Sequence, residues 1–252
     1  MEWFLLRRYL LPCVAALFLF PCSSNGADIS VSAGAMAVSS EYRETSAHVY
    51  AMPLVSVETE SFYIKGLGAG AYLWKGEGHK LSLGLEYLPV HFRPNDSSSH
   101  AMKQLDKRYT SLLASAEWEY SSKDRGQLRL KIAADILGKN EGFLADMSYS
   151  LPLRFGDVTL TPTVGVLWAS EEYNDYYYGI GASESKRSGL SAYDAGDALF
   201  PYASMRFDVA LNANWGLYAI ASAMVLDDEV CDSPMVDERM KYGICGGVRY
   251  TF

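Results

Sequence analysis

Hydrophobic and polar residues alternate along most of this chain. In its last third, Leu199, Pro201, Ala203, Met205, Phe207, Val209 and Leu211 fall on one face, and Phe200, Tyr202, Ser204, Arg206, Asp208 and Ala210 on the other. The polar turn Asn212-Ala213-Asn214 follows, the alternation resumes over residues 215–225, and residues 241–252 repeat it up to an aromatic last residue. Period-two alternation over runs of this length predicts β-strands.

The same pattern recurs upstream. Segments at 29–38, 48–57, 62–74 and 81–92 precede a polar loop at 93–106, and a sharper set follows at 111–120, 127–136, 143–154 and 158–168. Pro53 marks the second segment as irregular or bulged. The connections at 122–126, 138–142 and 156–157 are short and carry Gly or Asp, as hairpins require. In the sharper set one face is apolar and the other is charged. Glu117, Glu119, Arg129, Lys131, Asp135, Asp146 and Arg154, with Arg206, Asp208 and Arg249 downstream, share that second face.

A soluble antiparallel sheet gives the same two-faced strands. Two features favour a membrane barrel. The segments recur along the whole chain with no helical period between them, and Trp74, Trp118, Tyr120, Trp168 and Trp215 sit near segment ends, where aromatic girdles belong. The expected fold is therefore all-β, an antiparallel transmembrane (outer-membrane) β-barrel in one domain, 28–252. Its charged face points into the lumen, and the mixed signs predict ion pairs there, because unpaired buried charge is costly. Eleven segments are clear, and an even number is needed when both ends lie on one side. The Tyr-rich run 172–180 is assigned as the twelfth strand, with ten strands as the alternative.

Composition sharpens this reading. Hydrophobic residues make up 49% of the chain and 18 residues are Tyr, which suits two membrane–water interfaces. A mean hydropathy of −0.03 excludes a helical polytopic membrane protein but not a barrel, which shows lipid only alternate residues. The net charge of −8 argues against nucleic acid as a partner. Residues 1–27 combine basic Arg7 and Arg8, an apolar stretch at 9–20 and a small, polar end, which predicts a secretory signal peptide cut after Gly26 or Ala27. Cys13 and Cys22 leave with it. Phe20-Pro21 is a poor lipobox, so Cys22 is not expected to carry lipid. Cys231 and Cys245 remain, an even pair in an exported chain, and a disulfide between them is expected.

Little in the chain suggests chemistry. Gly66-Leu67-Gly68-Ala69-Gly70 lacks the ending of a phosphate loop and reads better as small residues where the wall bends. His48, His79, His91 and His100 have no partner at metal spacing. His100 beside Ser97, Ser98 and Ser99 is the nearest approach to a hydrolase pair, but the cluster reads as a polar loop. Asp227, Asp228, Glu229, Asp232, Asp237 and Glu238 form an acidic loop, better read as solvated than as a cation site. No cofactor and no metal are expected.

Four strings carry a family resemblance. They are Tyr173-Asn174-Asp175-Tyr176-Tyr177-Tyr178-Gly179-Ile180, then Ser188-Gly189-Leu190-Ser191-Ala192-Tyr193-Asp194-Ala195-Gly196, then Ser233-Pro234-Met235-Val236, and finally Gly243 with Tyr250-Thr251-Phe252. In order and spacing they resemble the MltA-interacting protein (MipA/OmpV) family, over residues 160–252. The resemblance implies a barrel in the outer membrane of a Gram-negative envelope, bounded by lipid. For some members it implies a non-enzymatic scaffold joining a lytic transglycosylase to a murein synthase, and for others a porin-like channel. The terminal Tyr250-Thr251-Phe252 resembles the signal read by the barrel-assembly machinery. An outer-membrane lipid hydrolase is the remaining reading, and no catalytic role is carried over to any residue.

Overall fold

The computed structural model describes residues 28–122 and 124–252; the signal peptide expected at 1–27 lies outside them. Thirteen strand segments follow one another: β1 (Asp28–Val38), β2 (His48–Glu58), β3 (Phe62–Lys65), β4 (Gly68–Gly76), β5 (His79–Leu88), β6 (Ser111–Ser122), β7 (Gly126–Asp135), β8 (Phe143–Ser150), β9 (Leu153–Phe155), β10 (Val158–Ala169), β11 (Ala198–Ala210), β12 (Trp215–Val225) and β13 (Met240–Thr251). Each pairs antiparallel with its neighbours, and β1 pairs with β13 from Ser30↔Thr251 to Val38↔Gly243, which closes the sheet. β8 and β9 both pair with β10 and are two halves of one stave, broken at Leu151 and Pro152. The result is a closed, antiparallel barrel of twelve staves.

The twelfth stave is not the one expected. Residues 172–180 lie in a helix and its end, because Glu171 and Glu172 occupy a first helical turn, where the dipole favours acid, and Tyr173 and Tyr177, four apart, share its buried face. The extra strand comes from the segment at 62–74, which is a hairpin: Gly66 takes φ +61 in the turn, and β3 and β4 pair across it. Gly66 is thus a turn residue. Gly68 and Gly70 lie in the wall, and a Cβ at Gly70 would overlap the Leu83 carbonyl and crowd the Tyr63 ring. Pro53 makes no bulge either, since β2 keeps an unbroken register with β1 along its whole length.

The outer wall is apolar. Ile132, Phe143, Met147, Val164, Leu199 and Ile244 project from it, all more than half exposed. A continuous apolar band on this scale is a lipid-facing surface. At the end with short turns, Trp74 and Trp118 flank the His79 ring at 5.6 Å each, Tyr120 lies 4.6 Å from it, and Trp215, Tyr250 and Phe252 form a second aromatic chain. Trp168 sits near the other rim. The expected girdles are present.

The packed core is not inside the barrel. Sixteen buried hydrophobic residues, among them Tyr42, Phe92, Met102, Tyr177, Ile180, Val230 and Met235, form one cluster made chiefly by the long connections at one mouth. These connections carry helices α1 (Glu171–Tyr178), α2 (Ala182–Ser188) and α3 (Asp228–Cys231) and short 3₁₀ turns at Pro94–Asp96 and Met102–Gln104. Leu144, Leu167 and Met224, from the inward face of the wall near that rim, pack against the cluster. The loops thus fold into a cap seated in the mouth.

Candidate functional site

Two environments qualify as sites, the lumen and the cap. In the lumen the expected ion pairs are present. Lys131 meets Glu86 at 2.7 Å, Arg129 meets Asp146 at 3.1 Å, and Asp208 is shared by Arg206 at 2.6 Å and Arg249 at 3.1 Å. Glu58 receives three lysines, Lys65 at 3.1 Å, Lys75 at 3.3 Å and Lys80 at 3.0 Å. Lys65, Lys80, Glu86, Arg129 and Lys131 from these pairs line a cavity of about 510 Å³ that also touches Glu117, Tyr63 and Tyr202. Two residues expected in the lumen sit elsewhere. Asp135 ends β7 at the rim, where it accepts hydrogen bonds from Ser111 and from the amides of Leu137, Lys139, Asn140 and Glu141, so it shapes the next turn. Arg154 is exposed at the opposite rim.

The cap is held by two ion pairs, each with a buried carboxylate. Arg108 sends Nη2 to both carboxylate oxygens of Glu184, at 3.0 and 2.9 Å, and to the Gly179 carbonyl at 3.0 Å. Glu184 in turn accepts from the Asp106 amide at 2.8 Å and the Gly181 amide at 3.2 Å, the second being the reciprocal half of a capping box. Burial pushes the Glu184 carboxyl up, but the Arg108 and amide hydrogen bonds outweigh it and hold its pKa below the ordinary value. Glu41, 2% exposed, pairs with Lys241 at 2.9 Å and accepts from the Tyr178 hydroxyl at 3.0 Å. Burial raises its pKa as well, and Lys241 reverses the sign. Burial is the largest cause that pushes the phenols of Tyr42, Tyr173, Tyr177 and Tyr178 up, and Glu41 adds to it at Tyr42, Tyr173 and Tyr178.

Most of the residues singled out by the resemblance meet in this cap. Tyr173, Tyr177 and Tyr178 are buried in its core, and the Tyr177 hydroxyl donates to the Tyr109 carbonyl at 3.0 Å. Tyr176 accepts from the Tyr109 amide at 2.9 Å. Gly179 ends α1 where a Cβ would overlap Asp175, and Gly189 ends α2 in the left-handed region at φ +76, a standard glycine stop. Ser188 bonds back to the Glu184 carbonyl, Leu190 and Tyr193 pack on the core, and Gly196 sits against Glu229. Ser233 donates to the Tyr178 carbonyl at 2.6 Å, and Pro234 follows it in the tight turn Val236 N to Ser233 O. Tyr250 and Phe252 lie apart, at the opposite end of β13. Sequence reasoning missed Arg108, Glu184, Glu41 and Lys241; they lie far apart in the chain and no local spacing links them.

The expected disulfide is not formed. Cys231 and Cys245 are both free thiols. Cys231 sits in the cap with its sulfur 3.6 Å from the Leu226 carbonyl, whereas Cys245 lies within β13 opposite Met36 and Ile220. Cys245 is five residues inside the rim strand that starts at Met240, about 17 Å along it, beyond disulfide reach from the rim. The acidic loop is used for tethering: Asp227 caps α3 and accepts from the Leu199 amide, Asp237 accepts from the Glu44 amide, and Asp228 pairs with Arg239. Among the described residues no group of three acidic, His or Cys side chains is placed to hold a metal. Ser97 donates to the Arg43 carbonyl and Ser98 to Glu44, and among the described residues no hydrogen bond joins these serines to His100.

Known proteins resemble this chain along most of its length. YiaT of Escherichia coli O157:H7 is 36% identical over 241 residues, covering 95% of this chain and 98% of that protein. The MltA-interacting protein of Escherichia coli (strain K12) is 36% identical over 223 residues, covering 88% and 90%. Among solved structures, an outer membrane channel from Pseudomonas putida F1 aligns with a TM-score of 0.42 at 12% identity, covering 93% of this chain and all of that one. The family model described as MltA-interacting protein MipA matches residues 31–252, well beyond the C-terminal stretch that carried the resemblance, and the chain belongs to that family.

Proposed function

We propose that this chain is a non-enzymatic outer-membrane barrel that acts as a scaffold for peptidoglycan-remodelling enzymes, binding a lytic transglycosylase and a murein synthase. The observation that carries this reading is the 36% identity, over most of both chains, to a protein named for its interaction with MltA. The cap supports it. Four connections fold into one packed body held by ion pairs on buried carboxylates, which gives the barrel a preformed surface at one mouth. Export by a signal peptide at 1–27, insertion by the barrel-assembly machinery and an outer-membrane location belong to the same proposal. Affinity capture from detergent-solubilised envelopes tests it: a murein hydrolase or synthase is expected in the eluate. Recovery of neither, while other envelope complexes survive, overturns the scaffold. Fractionation with heat-modifiable gel mobility tests the location.

The lumen cavity of about 510 Å³ favours one alternative, a porin-like channel for small solutes. Planar-bilayer recording separates the two, since the cap in the mouth predicts little conductance from the folded protein.

A further inference from the structure

The barrel wall is interrupted beside β2. On one side β2 pairs with β1 along its full length, but on the other only Ser56, Val57 and Glu58 pair with the four-residue β3. The Gly66 amide adds one bond to the Val55 carbonyl, and beyond it residues 48–54 have no backbone partner on that side among the described residues. That is about 20 Å of open strand edge. Pro53 has the same parity as Val55, so the N–H it lacks belongs to the open edge, the position in a sheet where proline is tolerated. The β3–β4 turn, with Leu67 half exposed in it, forms the sill of the opening, and Tyr87 stands on the far side, its amide bonded to the Leu67 carbonyl. Above, the rings of His48 and His91 approach to 6.1 Å.

The opening leads inward. The lumen cavity that touches Lys65 and Lys80 also reaches Leu67, Gly68 and Tyr87. Its inner end carries surplus positive charge, because Lys65, Lys75 and Lys80 gather around Glu58 and only Lys80 reaches a second carboxylate, Glu119 at 3.8 Å, so three cations meet two anions. Its outer end, at Leu67 and Tyr87, is apolar and continues the row of lipid-facing Leu83 and Leu85 along β5. One path therefore joins the membrane belt to a cationic cluster, apolar first and charged at its end.

We infer that this gap is a lateral port that admits an anionic single-chain amphiphile from the surrounding membrane, with its chain over Leu67 and Tyr87 and its head group at Lys65 and Lys80. A cavity of this volume is in the range of ordinary small-molecule sites. The inference does not depend on the scaffold reading and fails separately from it.

The test uses the full-length mature protein in nanodiscs and a long-chain fatty acid with a diazirine in its alkyl chain. Cross-links are expected in peptides containing 49–54, 66–68 and 85–89, in excess of those from the outer face of β12. The unlabelled fatty acid is expected to compete at least tenfold better than the neutral monoacylglycerol of equal chain length. Lys65→Gln, with unchanged heat-modifiable mobility, is expected to weaken labelling about tenfold. If Lys65→Gln does not fold, competition on the wild type decides. Cross-links spread evenly around the belt, equal competition by the neutral lipid, or a folded Lys65→Gln that labels like the wild type would each overturn the port.

Discussion

Arg108 and Glu184 meet at 2.9 Å inside the cap, with side chains 10% and 8% exposed. They join the β5–β6 connection to helix α2, and Arg108 also closes the end of α1 through the Gly179 carbonyl. Removing one member of such a pair leaves a buried charge alone, which costs about 3–5 kcal/mol. Arg108→Ala is therefore expected to abolish hydrogen-exchange protection of the α1 and α2 amides while leaving that of the wall strands intact. Arg108→Lys lacks the planar fork and should fall between. Simultaneous loss of wall and cap protection would show that the cap is not a separate unit.

The cap should also respond to pH at both extremes. Glu41 and Glu184 have folded pKa values below the ordinary 4.5. Their contribution is complete above 4.5 and is lost as pH falls through the lowered values. Tyr42, Tyr173, Tyr177 and Tyr178 have folded pKa values above the ordinary 10.0, so their contribution is complete below 10 and is lost as pH rises through the raised values. Protease resistance of the loops is expected to stay flat between pH 5 and 9 and to fall outside that window. Glu41→Gln should flatten the acid limb.

Two free thiols make a simple prediction. Protein lacking residues 1–27, denatured without reductant, is expected to take up two maleimides, and mobility on gels should not depend on reductant. Uptake of none would restore the Cys231–Cys245 disulfide. The pairing rule for exported cysteines fails here because it counts residues and not positions: Cys231 is in the cap and Cys245 is in the wall.

The middle of the closing seam between β1 and β13 is built of small residues, with Gly34 and Ala35 paired to Gly247 and Gly246. Gly34 faces Gly247, and a Cβ on Gly247 would overlap the Ala33 carbonyl. Gly247→Val adds still more bulk at a position where backbone leaves no room, and large overpacking costs about 1–3 kcal/mol. The folded, heat-modifiable band is expected to form slowly or in reduced yield, whereas Ala219→Val, outward on β12, should fold normally.

The wall was legible in the sequence because a strand writes its two environments on alternate residues. Apart from 172–180, the predicted wall segments from β6 onward lie where alternation placed them, and Arg129 with Asp146 and Arg206 with Asp208 form ion pairs on the face expected to be charged. What failed was signalled by single residues. The turn at Gly66 hid inside an unbroken apolar run, and the tyrosines of α1 have strand propensity but sit behind an acidic first helical turn. The cap was illegible for a different reason. Its ion pairs join residues separated by 76 positions for Arg108 and Glu184 and 200 for Glu41 and Lys241, and such contacts leave no local period.

Phe252 adds one bond to the β1–β13 seam and is expected to matter to assembly. Phe252 is 70% exposed, and its amide donates to the Ile29 carbonyl at 3.1 Å, joining the end of the chain to the first strand. Its ring meets Tyr250 at 4.9 Å, which meets Trp215 at the same distance, so the aromatic chain at this rim ends on it. Because the ring is exposed, deleting it removes little buried area, and the folded barrel should lose only about 1 kcal/mol for the missing hydrogen bond. The terminal aromatic resembles the signal read by the assembly machinery, so the larger effect is expected in cells. Deleting Phe252 should sharply lower the amount of folded barrel in outer-membrane fractions, while the same protein refolded in detergent regains the heat-modifiable form. Equal loss in both settings would assign Phe252 to stability, and normal insertion in cells would end the assembly role.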